Sequence, residues 1–252
     1  MGRVILDEVD STNAEALRRA PRTQEPCWIL ARRQTAGRGR RGRAWADPEG
    51  NFAASLVAAT ELPPQHLALH GFAAALALHD ALGALTGRPH SFSLKWPNDV
   101  LAAGSKVAGI LLESLTPVDG ASAPVLVIGV GVNLANVPEL PDGAGPPPGS
   151  VVDVTGARID PPELLDRLAP ALARWQATLT RDGFAPLREA WLARAARLGQ
   201  PIVARTPRET IEGVFETLDS SGALVVSTGA GRRVIPAADV HFGEETPHAP
   251  GD

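Results

Sequence analysis

The sequence predicts an α+β protein: a mixed, largely antiparallel sheet flanked by helices, followed by a small β-rich barrel. Three observations carry this expectation. Strand-like runs from Phe92 to Leu134 follow one another so closely, across turn residues, that they imply antiparallel hairpins. Longer stretches, above all Leu67 to Leu85 and the segment opened by Asp160-Pro161, carry helical patterning. After Gly199 the character changes to short β-rich runs joined by glycine-containing turns.

In chain order, Val4 to Leu6 reads as a strand, and Thr12-Asn13-Ala14-Glu15 matches a capping box opening a helix through Ala20. Ser11 to Asn13 are thereby expected at a helix N-terminus. Trp28 to Arg32 reads as a strand, an arginine-rich loop follows, Asp47-Pro48-Glu49-Gly50 supplies a turn, and Phe52 to Ala58 resumes as strand. Leu67 to Leu85, interrupted by His70, His79 and Asp80 and rich in alanine, reads as a packed amphipathic helix and not a membrane span. Phe92 to Lys95, Val100 to Ala102, Lys106 to Leu115 and Val125 to Leu134 are strand-like. Val137 to Gly149, with five prolines and three glycines, is expected to be a mobile functional loop. Leu164, Leu168, Leu172, Trp175 and Leu179 follow helical spacing, with Pro170 expected to kink or split the helix. Phe184 to Leu198 predicts a further helix stopped by Gly199. Four runs, Ile202 to Arg205, Ile211 to Leu218, Ala223 to Ser227 and Arg232 to Ile235, make up the small barrel. The expected division is residues 1–198, residues 199–243, and a polar, disordered tail at 244–252.

The formal net charge is -4, which does not favour long-range attraction to nucleic acid or anionic membrane, so any basic site must be local. Cys27 is the single cysteine, which excludes an internal disulfide framework and fits a reducing compartment. The N-terminus runs at once into Asp7, Glu8 and Asp10, with no signal-peptide pattern, and the cytoplasm is the expected location.

Gly37-Arg38-Gly39-Arg40-Arg41-Gly42 formally fits G-x-G-x-x-G after a strand. A dinucleotide fingerprint requires a helix next, whereas here Trp45 and the Asp47 to Gly50 turn lead back into a strand. Interleaved glycines let backbone approach a ligand, while the guanidinium forks of Arg38, Arg40, Arg41 and Arg43 suit phosphate or carboxylate oxygens. On these residues alone a solvated basic turn, or an arginine patch touching nucleic acid, stays open. Lys95 ends an apolar strand before the Pro97-Asn98-Asp99 turn, Lys106 begins the next one, and Gly129, Gly131 and Asn133 lie on a core strand. Singly, each has an ordinary structural explanation.

Together these segments resemble the biotin protein ligases, in family order: Ser11-Thr12-Asn13, then Gln34 with Gly37 to Arg43 and Trp45, Lys95 to Asp99, Lys106 to Leu111, and Gly129 to Asn133. The resemblance covers nearly the whole chain, since the β-rich tail looks like the family's SH3-like C-terminal domain. It implies a class II aminoacyl-tRNA synthetase/biotin synthetase-like catalytic fold. It also implies formation of biotinyl-5′-AMP from biotin and MgATP, then transfer of biotin to a lysine of a biotin carboxyl carrier protein, as in acetyl-CoA carboxylase. By that resemblance Lys106, Arg38, Arg40 and Asp99 are the catalytic candidates. Ser11, Thr12, Asn13, Gln34, Gly37, Arg38, Gly39, Arg40, Trp45, Lys106 and Gly109 are candidates for biotin. Arg40, Arg41, Arg43, Lys95, Asn98 and Asn133 are candidates for the nucleotide, and no protein metal site is expected, Mg2+ coming with ATP. Only ten residues precede Ser11, so the DNA-binding winged helix of some members is expected to be absent and no DNA partner is foreseen. A homodimer through a sheet edge, or the same edge used for the carrier, follows from the same analogy. The 137–149 loop carries no aromatic residue, so stacking on adenine must come from elsewhere, with Trp45 or aliphatic contacts as substitutes. A lipoate or octanoyl ligase-like enzyme, or a non-catalytic nucleic-acid- or ligand-binding homologue, is the alternative.

Overall fold

The computed structural model describes residues 1–22, 25–60, 66–115, 124–137 and 147–242. The expected tail at 244–252 and most of the expected 137–149 loop lie outside them. The chain divides into two compact units, Met1–Ala196 and Arg197–Asp252.

The first unit is built on a seven-stranded sheet of β1 (Gly2–Leu6), β2 (Cys27–Ala31), β3 (Phe52–Ala59), β4 (Phe92–Lys95), β5 (Asp99–Ala102), β6 (Ser105–Leu115) and β7 (Val125–Val132). Their order is β1-β2-β3-β7-β6-β5-β4, parallel only between β1 and β2. The expected mixed, largely antiparallel α+β architecture is what forms. Ala103 and Gly104 both take positive φ between β5 and β6, the geometry that matches a two-residue hairpin loop to strand twist.

Successive residues of a strand face opposite sides, so the sheet has two distinct surfaces. One carries α2 (Leu69–Thr86), whose Gly71 packs on Leu112 of β6, with α4 (Pro161–Asp182) and α5 (Phe184–Leu192) against α2. Between sheet and helices α2 is buried on nearly every side, and not along one stripe as an amphipathic helix would be. Phe72 meets Phe184 and Trp191 edge-on, at ring centroid distances of 5.0 and 5.6 Å. The opposite surface carries α1 (Thr12–Arg19), where Ala16 packs with Ile29, Val57 and Val127.

Three local expectations are corrected. The capping box does not form: Ser11, not Thr12, occupies the N-cap position, and Glu15 pairs with Arg18 and Arg19. Of the kink or split expected at Pro170, the split does not occur: α4 continues through it while its buried face packs on α2. The helix beginning at Phe184 stops at Leu192, because Arg194 O and Ala196 N hydrogen-bond the backbone of Leu94 and the chain runs along the edge of β4. A short helix, α3 (Val151–Thr155), had no counterpart in the sequence reading and is capped by Ser150, whose hydroxyl accepts from Asp153 N.

The second unit is an antiparallel five-stranded sheet of β8 (Pro201–Arg205), β9 (Thr210–Leu218), β10 (Leu224–Thr228), β11 (Gly231–Ile235) and β12 (Asp239–His241), in the order β11-β10-β9-β8-β12. Its fifth strand, β12, adds to the four expected runs. Among the described residues, no helix is long and apolar enough to cross a membrane.

Candidate functional site

The site grows out of the sheet surface opposite α2. Strand register sets one row across it: Lys95, Asp99, Gly109, Gly131 and Ala53, one residue from each of five adjacent strands. A second row two residues along joins Leu111, Gly129 and Ser55. Glycines occupy the middle because other groups lie directly on the strands there. A Cβ at Gly131 would fall 2.6 Å from Trp45 Cε2, one at Gly109 3.1 Å from Trp45 Cζ3, and one at Gly129 would collide with the side chain of Asn13. Trp45 therefore lies on Gly109 and Gly131, while α1 seats Asn13 on Gly129.

Lys106 reaches this surface through a β-bulge. One step in β5, from Val100 to Leu101, is matched by two in β6, from Ala108 to Lys106. The extra residue, Val107, breaks the alternation, so Lys106 shares a face with Leu101 and hence with Asp99 and Gly109. Its Nζ lies 2.7 Å from Asp99 Oδ1 and 5.7 Å from the Trp45 ring centroid. Asp99 Oδ2 faces Lys95 Nζ at 3.6 Å, and both Lys95 and Asp99 are buried.

The arginine loop is a small hairpin. Trp45 N donates to Gly37 O and Gly39 N to Arg43 O, with Arg38 bridged to Ala44 between them. At its tip Arg41 and Gly42 take φ of 57° and 73°, and no helix N-terminus follows, which removes the dinucleotide reading. Gly37 is required as well, since a Cβ there would lie 2.5 Å from Trp45 O. Arg40 donates to Asn98 Oδ1 at 3.1 Å, and Asn98 is itself anchored by donating to Ile110 O at 2.7 Å. Arg38 lies 3.6 Å from Glu113 Oε1, whose other oxygen accepts from Asn13 Nδ2 at 2.8 Å. Arg41 and Arg43 are exposed at the tip.

Beside these charges is a cluster of neutral polar side chains. Thr12 N and Thr12 Oγ1 both donate to Gln34 Oε1, at 2.9 and 3.2 Å, and Ser55 Oγ lies 2.8 Å from Thr12 Oγ1 and 2.5 Å from Asn13 Oδ1. Ser11, Thr12, Asn13 and Ser55 are all buried. Asn133 lies beyond Lys106: its backbone N donates to Val107 O, and its Nδ2 to Gly149 O at 3.0 Å. Residues 147–149 run alongside Lys106, whose N donates to Pro147 O while Gly149 N donates to Lys106 O. The buried Oδ1 of Asn133 has no hydrogen-bond partner among the described residues.

The structure thus links Thr12, Asn13, Gln34, Gly37, Trp45, Gly109, Lys106, Asp99, Lys95, Arg38, Arg40 and Asn98 by contact, with Ser11 at the head of α1. Ser55, Glu113 and Asp47 were not singled out from the sequence. Ser55 and Glu113 sit on strands that read as ordinary, and only alternation facing α1 could have marked them.

Known proteins resemble this chain in sequence and fold. Residues 4–133 match the model of the biotin/lipoate A/B protein ligase family, and residues 198–243 that of the biotin protein ligase C terminal domain. A biotin--[acetyl-CoA-carboxylase] ligase of Paracoccus denitrificans is 55% identical over 246 residues, 95% of this chain and 100% of that protein. One from Mycobacterium tuberculosis is 32% identical, over 94% of this chain and 87% of its own. The solved biotin protein ligase from Aquifex aeolicus in complex with biotin and ATP superposes with a TM-score of 0.79 at 26% identity, over 95% of this chain and 97% of that one.

Proposed function

Since the chain belongs to the biotin/lipoate A/B protein ligase family, we propose that residues 1–198 join biotin and ATP into biotinyl-5′-AMP and pass biotin to a lysine of a biotin carboxyl carrier protein. It is a biotin--[biotin carboxyl-carrier protein] ligase, and residues 199–243 form its SH3-like domain.

One observation carries the reading. A hydrogen-bonded cluster of neutral side chains at Thr12, Gln34 and Ser55 is joined by an indole on glycines to the Lys106–Asp99–Lys95 cluster. A ligand with a neutral cyclic urea, an apolar body and a terminal carboxylate fits that sequence of surfaces. Ser11, Thr12, Asn13 and Gln34 meet the ureido ring, Gly37 and Gly39 allow backbone to approach, and Trp45 over Gly109 walls the apolar body.

In the first step a biotin carboxylate oxygen attacks the α-phosphorus as its bond to pyrophosphate breaks. Two anions meeting at about 4 Å repel by about 4 kcal/mol at an effective dielectric near 20. Arg38 and Lys106 offset that repulsion at the carboxylate and α-phosphate, and Arg40, Arg41 and Arg43 share the charge of ATP and departing pyrophosphate. Lys95, Asn98 and Asn133 line the nucleotide side. Magnesium arrives with ATP, held by phosphate oxygens and water. In the second step the acceptor ε-amine attacks the acyl carbon of the mixed anhydride and AMP leaves. Asp99, facing both lysines, is the candidate to contact or deprotonate that amine.

Incubation with biotin, MgATP and a carrier domain should add one biotinyl group to the carrier by intact mass. No gain, or a gain with lipoate instead, refutes the assignment. We place this work in the cytoplasm, without a DNA partner, and propose a homodimer formed through a sheet edge; a monomer at every concentration in light scattering would refute the dimer.

A further inference from the structure

We propose that Asp47 is a positioning residue for biotin recognition: it sets the orientation of the Gln34 side-chain amide so that its carbonyl faces the first turn of α1. The inference rests on the reading that Thr12 and Gln34 meet the ureido ring.

Among the described residues, both hydrogen bonds that Asp47 accepts come from Gln34, from its backbone N at 3.2 Å and its Nε2 at 3.5 Å, and both end on Oδ2. The other oxygen, Oδ1, is buried and has no hydrogen-bond partner among the described residues. A carboxylate left in that state is not tying other elements together, so its contacts with Gln34 are what hold it there. At the far end of the same amide, Gln34 Oε1 accepts from Thr12 N and Thr12 Oγ1. The backbone N–H of Thr12 belongs to the first turn of α1, where no intrahelical acceptor exists.

These partners define one orientation. An ionised carboxylate offers acceptors alone, so the Gln34 N–H side must turn to Asp47 and its carbonyl to Thr12. With the amide reversed, Oε1 would face the carboxylate and Nε2 the Thr12 N–H, two mismatches at once. The space is restricted as well, since Nε2 lies 3.1 Å from where a Cβ on Gly37 would stand. Asp47 follows Trp45 by two residues at the exit of the arginine hairpin, so hairpin closure brings it beneath Gln34. Burial raises its carboxyl above the usual range, and the bonds from Gln34 act in the opposite sense.

The test is a double-mutant cycle on biotinyl-5′-AMP synthesis by the full chain, titrating biotin and ATP separately. Asp47→Ala should raise KM for biotin about tenfold, with kcat and KM for ATP within about threefold of the parent. Asp47→Asn, which retains an acceptor oxygen, should restore most of the loss. In a Gln34→Ala background Asp47→Ala should add nothing further, because its effect passes through Gln34. Additive effects, or an unchanged KM for biotin in Asp47→Ala while Gln34→Ala raises it, would overturn the proposal and leave the site reading intact. An unchanged KM for biotin in Gln34→Ala would overturn both. Should Asp47→Ala not fold, the same cycle with Asp47→Ser, too short to reach the amide, decides by the same outcomes.

Discussion

Lys106 and Gly131 are the two positions where single atoms decide most. Lys106 is part-exposed, paired with Asp99 and close to the Trp45 ring, so its removal opens no cavity in the core. Lys106→Ala should lose about 100-fold or more in adenylate synthesis, as expected when a group stabilising charge in the transition state is deleted, while the thermal melt stays within a few degrees. Near-normal synthesis would refute its role. Gly131→Ala is the smallest possible addition, yet its methyl would sit 2.6 Å from Trp45 Cε2 and must displace the indole. We expect KM for biotin to rise about tenfold or more by radiometric adenylate assay, with Trp45→Ala in the same background adding little because the two changes act on one wall.

Among the elements, α4 carries an internal contradiction in Pro170, which lacks the N–H that would bond the carbonyl of Asp166. The helix persists because Leu164, Leu165, Leu168, Ala171 and Leu172 are buried, and the apolar contact made by that face outweighs one missing hydrogen bond. Pro170 itself is exposed. Pro170→Ala should therefore stabilise the first unit by about 1–3 kcal/mol in urea unfolding, and a loss of stability would mean that the ring is needed for packing.

The stability of the first unit should depend on acidity through His70, buried where α2 meets Thr60 and α4. Gln176 Nε2 lies 3.2 Å from its Nδ1 and Thr60 Oγ1 3.3 Å from its Nε2, a set that suits a neutral imidazole donating from Nε2. Desolvation holds its pKa at about 4, below the ordinary 6.5. In that window the unfolded chain takes up a proton that the folded protein refuses, so stability is whole above about pH 6.5 and falls as the pH drops towards 4. The loss between about pH 7 and about pH 5 should be about 2 kcal/mol. Urea midpoints measured at both acidities should show it, and His70→Gln should flatten the dependence; an equal slope in the variant would assign the effect to other groups.

Much of this protein was legible before folding was considered. Strand runs separated by turn residues determined the hairpins, Gly37 to Arg43 and Lys95 to Asp99 marked the charged segments, and the order of motifs indicated the family. These are local properties, carried by residues adjacent in the chain. What only the tertiary structure decided was which groups share a face. Val107 is an unremarkable valine in sequence, but as the extra residue of a bulge it turns Lys106 onto the side of Asp99 and Gly109. Glu113 and Ser55 both came to the Asn13 side chain through cross-strand register, and Asp47 met Gln34 through closure of the arginine hairpin. Register, bulges and side-chain pairing depend on contacts between distant segments, and a one-residue slip in any strand would exchange the site face for the core face.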